Sequence, residues 1–185
     1  MTLVLGLTGP NASGKGEAAT YLSRLGFRVH SLSDIVREEA RAEGLPTERR
    51  YLIEVGNRLR REGGPGVLAE RILERLGERD AVDSIRNPAE IEVLRRLPHF
   101  FLIGVSAPTE VRFKRSLSRA RPGDPQTLSQ FRRREAQENT DDPAAQQLDA
   151  ALALADRRIV NHGDLEALHR ALDRSITAFE ADSGT

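Results

Sequence analysis

Residues 9–16, Gly-Pro-Asn-Ala-Ser-Gly-Lys-Gly, constrain what this chain can fold into more than any other stretch. They follow a short apolar run (Leu3, Val4, Leu5, Leu7) and lead into a segment of helical pattern. A strand ending near Thr8, a tight loop and a helix starting near Gly14 leave the first helical N–H groups unpaired and facing a concavity, which is a seat for an anion. Gly9 and Gly14 lack a Cβ, so they can take the backbone angles that turn successive N–H groups inward. Lys15 adds a full positive charge on a flexible stem. In a strand-to-helix setting this spacing of glycines and lysine is a specific phosphate-binding signature, whereas a glycine pair alone would be weak. The plainer reading is a glycine-rich turn with an incidental lysine. Against it, Lys15 and Lys114 are the only lysines in the chain. The expected contacts to bound phosphates are Gly9, Asn11, Ala12, Ser13, Gly14, Lys15, Gly16 and Glu17.

The pattern downstream predicts a parallel sheet around that loop. Thr20 to Leu25 continue the first helix, Gly26 sits where a C-terminal cap belongs, and Phe27 to Leu32 alternates as a strand in which His30 reads as a packed residue. Strand, loop, helix and strand within about thirty residues form a βαβ unit. Ser33 is the expected N-cap of the next helix, which carries Asp34 and Arg37 one turn apart at the carboxyl end of a strand, the edge where open α/β sheets bind ligands. Pro46 and Thr47 open a further helix with an apolar stripe of Tyr51, Leu52, Val55 and Leu59 and a face of Arg58, Arg60 and Arg61. Gly63-Gly64-Pro65-Gly66 breaks it, and Val67 to Leu76 forms the following helix.

Ala81-Val82-Asp83 ends a short strand, so Asp83 fits the acid that closes a buried strand and would hold Mg²⁺ through water, and it also reads as a helix-capping or turn aspartate. His99 to Val105 reads as a strand buried on both faces. Pro108 begins a helix displaying Arg112, Arg115 and Arg119, Arg121-Pro122-Gly123-Asp124-Pro125 forms a loop, and the helix after it carries Arg132, Arg133 and Arg134, the first two expected in solvent. Pro143 to Ala155 reads as a helix and Arg157 to Val160 as the last strand. Asn161-His162-Gly163-Asp164 then turns into a terminal helix. Each arginine taken alone, and the Asp34–Arg37 pair, also reads as solvated surface charge.

Composition narrows the partners. The chain has 185 residues, most simply one domain, with zero net charge and 30% charged residues, so it shows no basic footprint for nucleic acid and no polybasic patch for a membrane. It contains no cysteine, which excludes disulfides, thiolate metal sites and cysteine nucleophiles. The apolar start enters the loop without a basic leader or cleavage site, and no run is long enough to span a bilayer, so a cytoplasmic location is expected.

Taken together, these stretches resemble the small P-loop kinases of the nucleoside monophosphate kinase group. Residues 9–16, Asp83-Ser-Ile-Arg-Asn-Pro and Arg121-Pro-Gly-Asp-Pro carry a likeness to adenylate-kinase-like and dephospho-coenzyme-A-kinase-like proteins, and to a kinase-like domain fused to some deoxycytidylate deaminases. The resemblance spans nearly the whole chain. It implies an α/β P-loop NTPase fold with a five-stranded parallel sheet flanked by helices, an acceptor-binding insertion at about residues 38–78 and a lid at about residues 115–140. ATP and Mg²⁺ are the implied cofactors. Adenylate kinases share the Gly-Lys-Gly ending, where Gly16 replaces the usual hydroxyl ligand of the metal, so Asp83 and Asp34 would hold the metal through water.

By the same resemblance Lys15 holds the donor phosphates, and Arg115, Arg119 and Arg121 clamp the transferring phosphoryl group. Arg37, in a stretch similar to the Ser-x-Gly-Asp-x-x-Arg of adenylate kinases, holds the acceptor phosphate. Arg86 assists it, shifted by one position from the family's Asp-Gly-Phe-Pro-Arg. Arg58, Arg61 and Val67 line the acceptor's base slot. Asn161, His162 and Gly163 meet the adenine, although they also read as a plain turn. The implied acceptor is a (deoxy)nucleoside 5'-monophosphate. Two alternatives stand beside it, dephospho-coenzyme A with Asp34 as base, and an ATP-binding switch without a small-molecule acceptor.

Overall fold

The computed structural model describes residues 3–120 and 123–182. Five parallel strands form one sheet, β1 (Leu3–Thr8), β2 (Arg28–Ser31), β3 (Arg79–Ile85), β4 (Phe100–Ser106) and β5 (Arg157–Val160), in the order β2-β3-β1-β4-β5. Parallel neighbours require crossovers, and helices on both faces supply them. The helices are α1 (Lys15–Arg24), α2 (Leu32–Ala42), α3 (Arg49–Gly63), α4 (Val67–Leu73), α5 (Pro88–Leu94), α6 (Thr109–Arg119), α7 (Leu128–Glu138), α8 (Leu148–Ala153) and α9 (Leu165–Asp182). The expected α/β architecture with a five-stranded parallel sheet is therefore present.

The central strand β1 is buried at every position, as its unbroken apolar run requires. Leu3, Leu5 and Leu7 pack on one face with Ala18 and Leu22 of α1 and Leu168, Leu172 and Ile176 of α9. Val4 packs on the other face with residues of α2, α3, α4 and α5. Gly6 shares that second face, where a Cβ would stand 2.6 Å from Phe100 Cζ and 2.9 Å from Ile85 Cδ1, so neighbouring side chains already fill its place.

Strand β3 carries the irregularity that shapes the site. Its pairing with β1 slips between Gly6↔Val82 and Thr8↔Ile85, and Ser84 absorbs the extra residue at φ 65°. Strict alternation would send Ile85 to the face opposite Val82, but the bulge returns both to one cluster. Thr8 Oγ1 donates to the Ile85 carbonyl at 2.9 Å and pins the bulge to β1. The strand thus runs past Asp83, where the sequence pattern ends it.

Other boundaries shift for local reasons. Ser31, not Ser33, caps α2 and accepts from the Ser33 N–H at 3.3 Å, because Leu32 already turns into the core at 1% exposure. Helix α3 starts at Arg49 rather than at Pro46 and runs through Gly63, and α4 stops at Leu73. The helix expected from Pro143 forms only at Leu148. Its would-be first turn is used elsewhere: the carbonyls of Pro143 and Ala145 accept from Asn87 Nδ2 at 2.7 and 2.9 Å, and the Gln147 N–H donates to the Arg86 carbonyl at 2.8 Å. Among the described residues, no helix is long and apolar enough to cross a membrane.

Candidate active site

The carboxyl ends of β1, β2 and β3 open into one cavity of about 1100 Å³. One end is the loop at residues 9–14, built from backbone. Gly9, Ala12 and Gly14 adopt φ 136°, 60° and 110°. A Cβ on Gly9 would lie 2.0 Å from the Val105 carbonyl oxygen and one on Gly14 2.1 Å from Asn161 Nδ2, so both positions exclude a side chain by space as well as by angle. Helix α1 begins at Lys15 with Gly14 as its N-cap, and its first N–H groups face the cavity end.

Lys15 folds back over this loop, its ammonium donating to the carbonyls of Gly9 at 2.7 Å and Pro10 at 2.9 Å. Loss of water around the ammonium, with Arg86 nearby, lowers its pKa to about 7, and Asp83 opposes part of that shift. Ser13 is buried, and its Oγ has no hydrogen-bond partner. The loop with its collared glycines and its lysine fits a polyphosphate.

The Asn161 turn packs against the loop. Asn161 Nδ2 donates to the Ser13 carbonyl at 2.9 Å, and its Oδ1 accepts from the Gly163 N–H at 3.0 Å. Arg115 bridges the two, donating to the carbonyl oxygens of Ser13 at 3.0 Å and Asn161 at 3.2 Å. His162 instead faces a separate recess with Arg157 and Arg174. Arg119 lines the cavity from the end of α6, as do Gly16 and Glu17 from α1. Arg121 lies outside the described residues.

The opposite end of the cavity is built from side chains. Arg37, Arg49, Arg60, Asp83, Arg86 and Gln146 line it, with Leu52, Ile53 and Leu68 between them. Asp83 lines the same cavity, and its Oδ1 is buried without a hydrogen-bond partner among the described residues. Among the described residues, no cluster of three or more His, Cys, Asp or Glu could hold a metal by itself.

Four sequence expectations fall outside this geometry. Asp34 is 57% exposed and bound to Arg37 at 2.5 Å, and it does not line the cavity. Arg58 pairs with Glu43 at 2.6 Å and Glu62 at 3.5 Å, outside the cavity. Arg61 is exposed, and Val67 is 8% exposed within the core, so neither borders a slot.

In their place stand residues that sequence reasoning missed. Glu138, at the end of α7 and 5% exposed, accepts both Arg49 and Asn11 Nδ2, the latter at 2.8 Å, and so ties the loop at residues 9–14 to Arg49 of α3. An acidic residue in the last turn of a helix opposes the macrodipole, and that was the available signal. Gln146 is another missed residue: its Oε1 accepts at 2.9 Å from Arg86, which the sequence reading did name, and burial next to Arg49 lowers the pKa of Arg86. Arg112, read as a surface charge, is 6% exposed and binds Glu135, the Ala107 carbonyl and Thr109 Oγ1, fastening α6 to α7.

Comparison with known proteins agrees with the fold. The model of a family described as an AAA domain matches residues 8–132. A "UPF0200 protein" of Hyperthermus butylicus is 32% identical over 179 residues, covering 95% of this chain and 94% of that protein. Among solved structures, TT1252 from Thermus thermophilus superposes with a TM-score of 0.61 at 24% identity, covering 96% of this chain and 97% of that one. Shikimate kinase from Acinetobacter baumannii, solved with shikimate, gives 0.59 at 16% identity over 96% and 94%. At these identities the structural likeness establishes the P-loop kinase fold.

Proposed function

Because the chain belongs to the UPF0200 family and has the P-loop kinase fold, we propose that it transfers the terminal phosphoryl group of ATP, accompanied by Mg²⁺, to a small phosphorylated acceptor, a (deoxy)nucleoside 5'-monophosphate. The observation that carries this reading is the single cavity with a backbone anion seat at one end and Arg37, Arg49 and Arg86 at the other. Two anionic ligands sharing it would meet end to end near Lys15 and Asp83, and phosphoryl transfer needs little beyond such positioning and charge neutralisation.

In this reading the loop amides and Lys15 bind the donor phosphates. Lys15 exchanges two carbonyl partners for phosphate oxygens, which restores its proton affinity. Asp83 would orient water around the Mg²⁺ that accompanies ATP, and that cation would supply neutralisation of charge developing on the phosphates. Arg37, Arg49 and Arg86 orient the acceptor phosphate. Helices α2–α4 serve as the acceptor-binding insertion and α6–α7 as the lid, with Arg115 and Arg119 reaching the phosphoryl group after the lid closes. The exposed position of Asp34 leaves dephospho-coenzyme A without the base proposed for it.

The test is a coupled assay of ADP release with and without each ribo- and deoxynucleoside monophosphate and dephospho-coenzyme A. At least one monophosphate is expected to accelerate release by about 100-fold or more and to appear as a diphosphate by mass spectrometry. Turnover of dephospho-coenzyme A alone would select a hydroxyl acceptor. Release indifferent to every acceptor would mark a nucleotide-dependent switch.

A further inference from the structure

The acceptor end contains a charged side chain that packing alone does not explain. Arg60 on α3 is 4% exposed, yet it lines the cavity together with Gly56 one turn earlier. Its Nε and Nη2 donate to Glu90 Oε1 at 3.1 and 2.7 Å. Glu90 is fully buried, and its other oxygen accepts the backbone N–H groups of Arg86 at 2.8 Å and Asn87 at 3.1 Å. That carboxylate fixes the plane of the guanidinium. Nη1 has no hydrogen-bond partner among the described residues, and it stands 3.5 Å from where a Cβ on Gly56 would lie. Nη1 itself is not fully buried, so its two N–H groups open onto the cavity, where a bound group can accept from them.

Gly56 points the same way. Glycine is the poorest helix former after proline, and nothing in the fold demands it here. Its φ is not in the left-handed region, and a methyl group would make only ordinary contacts, 3.5 Å to Arg60 Nη1 and 3.6 Å to Val36 Cγ2. What the missing side chain leaves is the width of one methyl group at the cavity wall, beside Arg60 Nη1 and Val36. The space has apolar walls from Val36, Leu52, Ile53 and Leu68, a floor without a side chain and one edge of unpaired donors. Those are the demands of a flat heteroaromatic ring.

We infer that Arg60 is a specificity-determining residue, donating from Nη1 to the edge of a planar nucleobase, at a carbonyl oxygen or unprotonated ring nitrogen, that lies over Gly56. The inference rests on the cavity's being a monophosphate site. A purely structural ion pair accounts for Arg60 and Glu90 but not for the unpaired Nη1 or the glycine. Glu90 then acts as a positioning residue for Arg60.

The test compares the unaltered protein with Gly56→Ala and Arg60→Met on two acceptors. One is the nucleoside monophosphate that is turned over best. The other is ribose 5-phosphate, which keeps the phosphate and lacks the base. The unaltered protein should prefer the nucleotide in kcat/KM by about 100-fold or more, and both variants should cut that preference about tenfold or more through the KM of the nucleotide, leaving the KM of ATP in place. Gly56→Ala decides the matter. Alanine favours the helix and should hold or raise Tm, whereas removing Arg60 leaves the Glu90 charge unpaired and endangers folding.

The same comparison made on calorimetric Kd values separates the site from the reaction. If the nucleotide binds, and binds more weakly in the variants, while no ADP appears, the base site stands and the phosphotransfer reading falls. An unchanged preference in Gly56→Ala at normal Tm overturns the inference. So does an unaltered protein that binds none of the monophosphates.

Discussion

In the proposed phosphotransfer reading, the donor end and the acceptor end of the cavity seat anions by different means. At the donor end the work falls to backbone: inward N–H groups, glycines whose missing Cβ atoms make way for Val105 and Asn161, and one lysine that rests on its own loop. At the acceptor end it falls to guanidinium groups on separate elements, each held by a partner far along the chain. Arg49 sits on Glu138, Arg60 on Glu90 and Arg86 on Gln146. A backbone seat is rigid and indifferent to what lies beyond the phosphates. A seat of paired arginines is set by its partners and can be tuned, so selectivity belongs to the acceptor end.

Substitutions at the two ends should therefore fail differently. Lys15→Ala should lower turnover by about 10³-fold or more while leaving the fold intact, because in the proposed reading the lysine acts on transferring charge and its two hydrogen bonds go to its own loop. Initial rates beside a thermal melt check this. A collapse of Tm would show that the lysine is structural. Glu138→Ala should act on both ends at once, costing roughly 3 kcal/mol of stability and raising the acceptor KM about tenfold, because Arg49 loses its buried counter-charge and Asn11 its acceptor. Urea unfolding and the two KM values read it. A KM effect confined to ATP would detach Arg49 from the acceptor.

A smaller effect distinguishes the lysine from the arginines by pH. Lys15 titrates near 7 in the folded protein, against 10.5 for an ordinary lysine, so between those values the unfolded chain holds the extra proton. Stability contributed through this group therefore rises as pH increases from about 7 towards 10.5 and is lost on the way down. Bound phosphates raise the pKa again, so at about pH 8.5 ATP binding should take up as much as about one proton, which Lys15→Met abolishes. Calorimetry in buffers of different ionisation enthalpy measures the uptake. An equal uptake in Lys15→Met would assign it elsewhere. The smallest effect is expected at Arg58, where alanine should change stability by less than about 1 kcal/mol and leave both KM values in place, since its pairs with Glu43 and Glu62 are at the surface.

The contrast between the ends also explains what the sequence discloses. The donor end is local. Residues 9–16 must be glycine, lysine and small polar types in a fixed order, and the Asn161 turn announces itself by its own glycine, so both are legible in one dimension. The sheet is legible for the same reason, through apolar runs such as Leu3 to Leu7. The bulge at Ser84 is not, because it satisfies Ile85 and Thr8 across the sheet and a serine carries no mark of a positive φ. Nor are the acceptor residues. Among so many arginines, only the fold distinguishes Arg60, which faces Glu90, from Arg61 beside it, which faces solvent. Asp34 and Arg37 carry a family-like pattern, yet a single helical turn suffices to pair them with each other and leave the acid outside the cavity.

The central claim, that one cavity seats donor and acceptor end to end, is tested most directly by a bisubstrate ligand in which adenosine and a second nucleoside are joined through a chain of about five phosphates. Such a ligand should bind about 100-fold more tightly than ATP, because the second half binds at high effective concentration, and either ATP or the monophosphate should displace it. Affinity no greater than that of ATP, with displacement by ATP alone, would contradict the account.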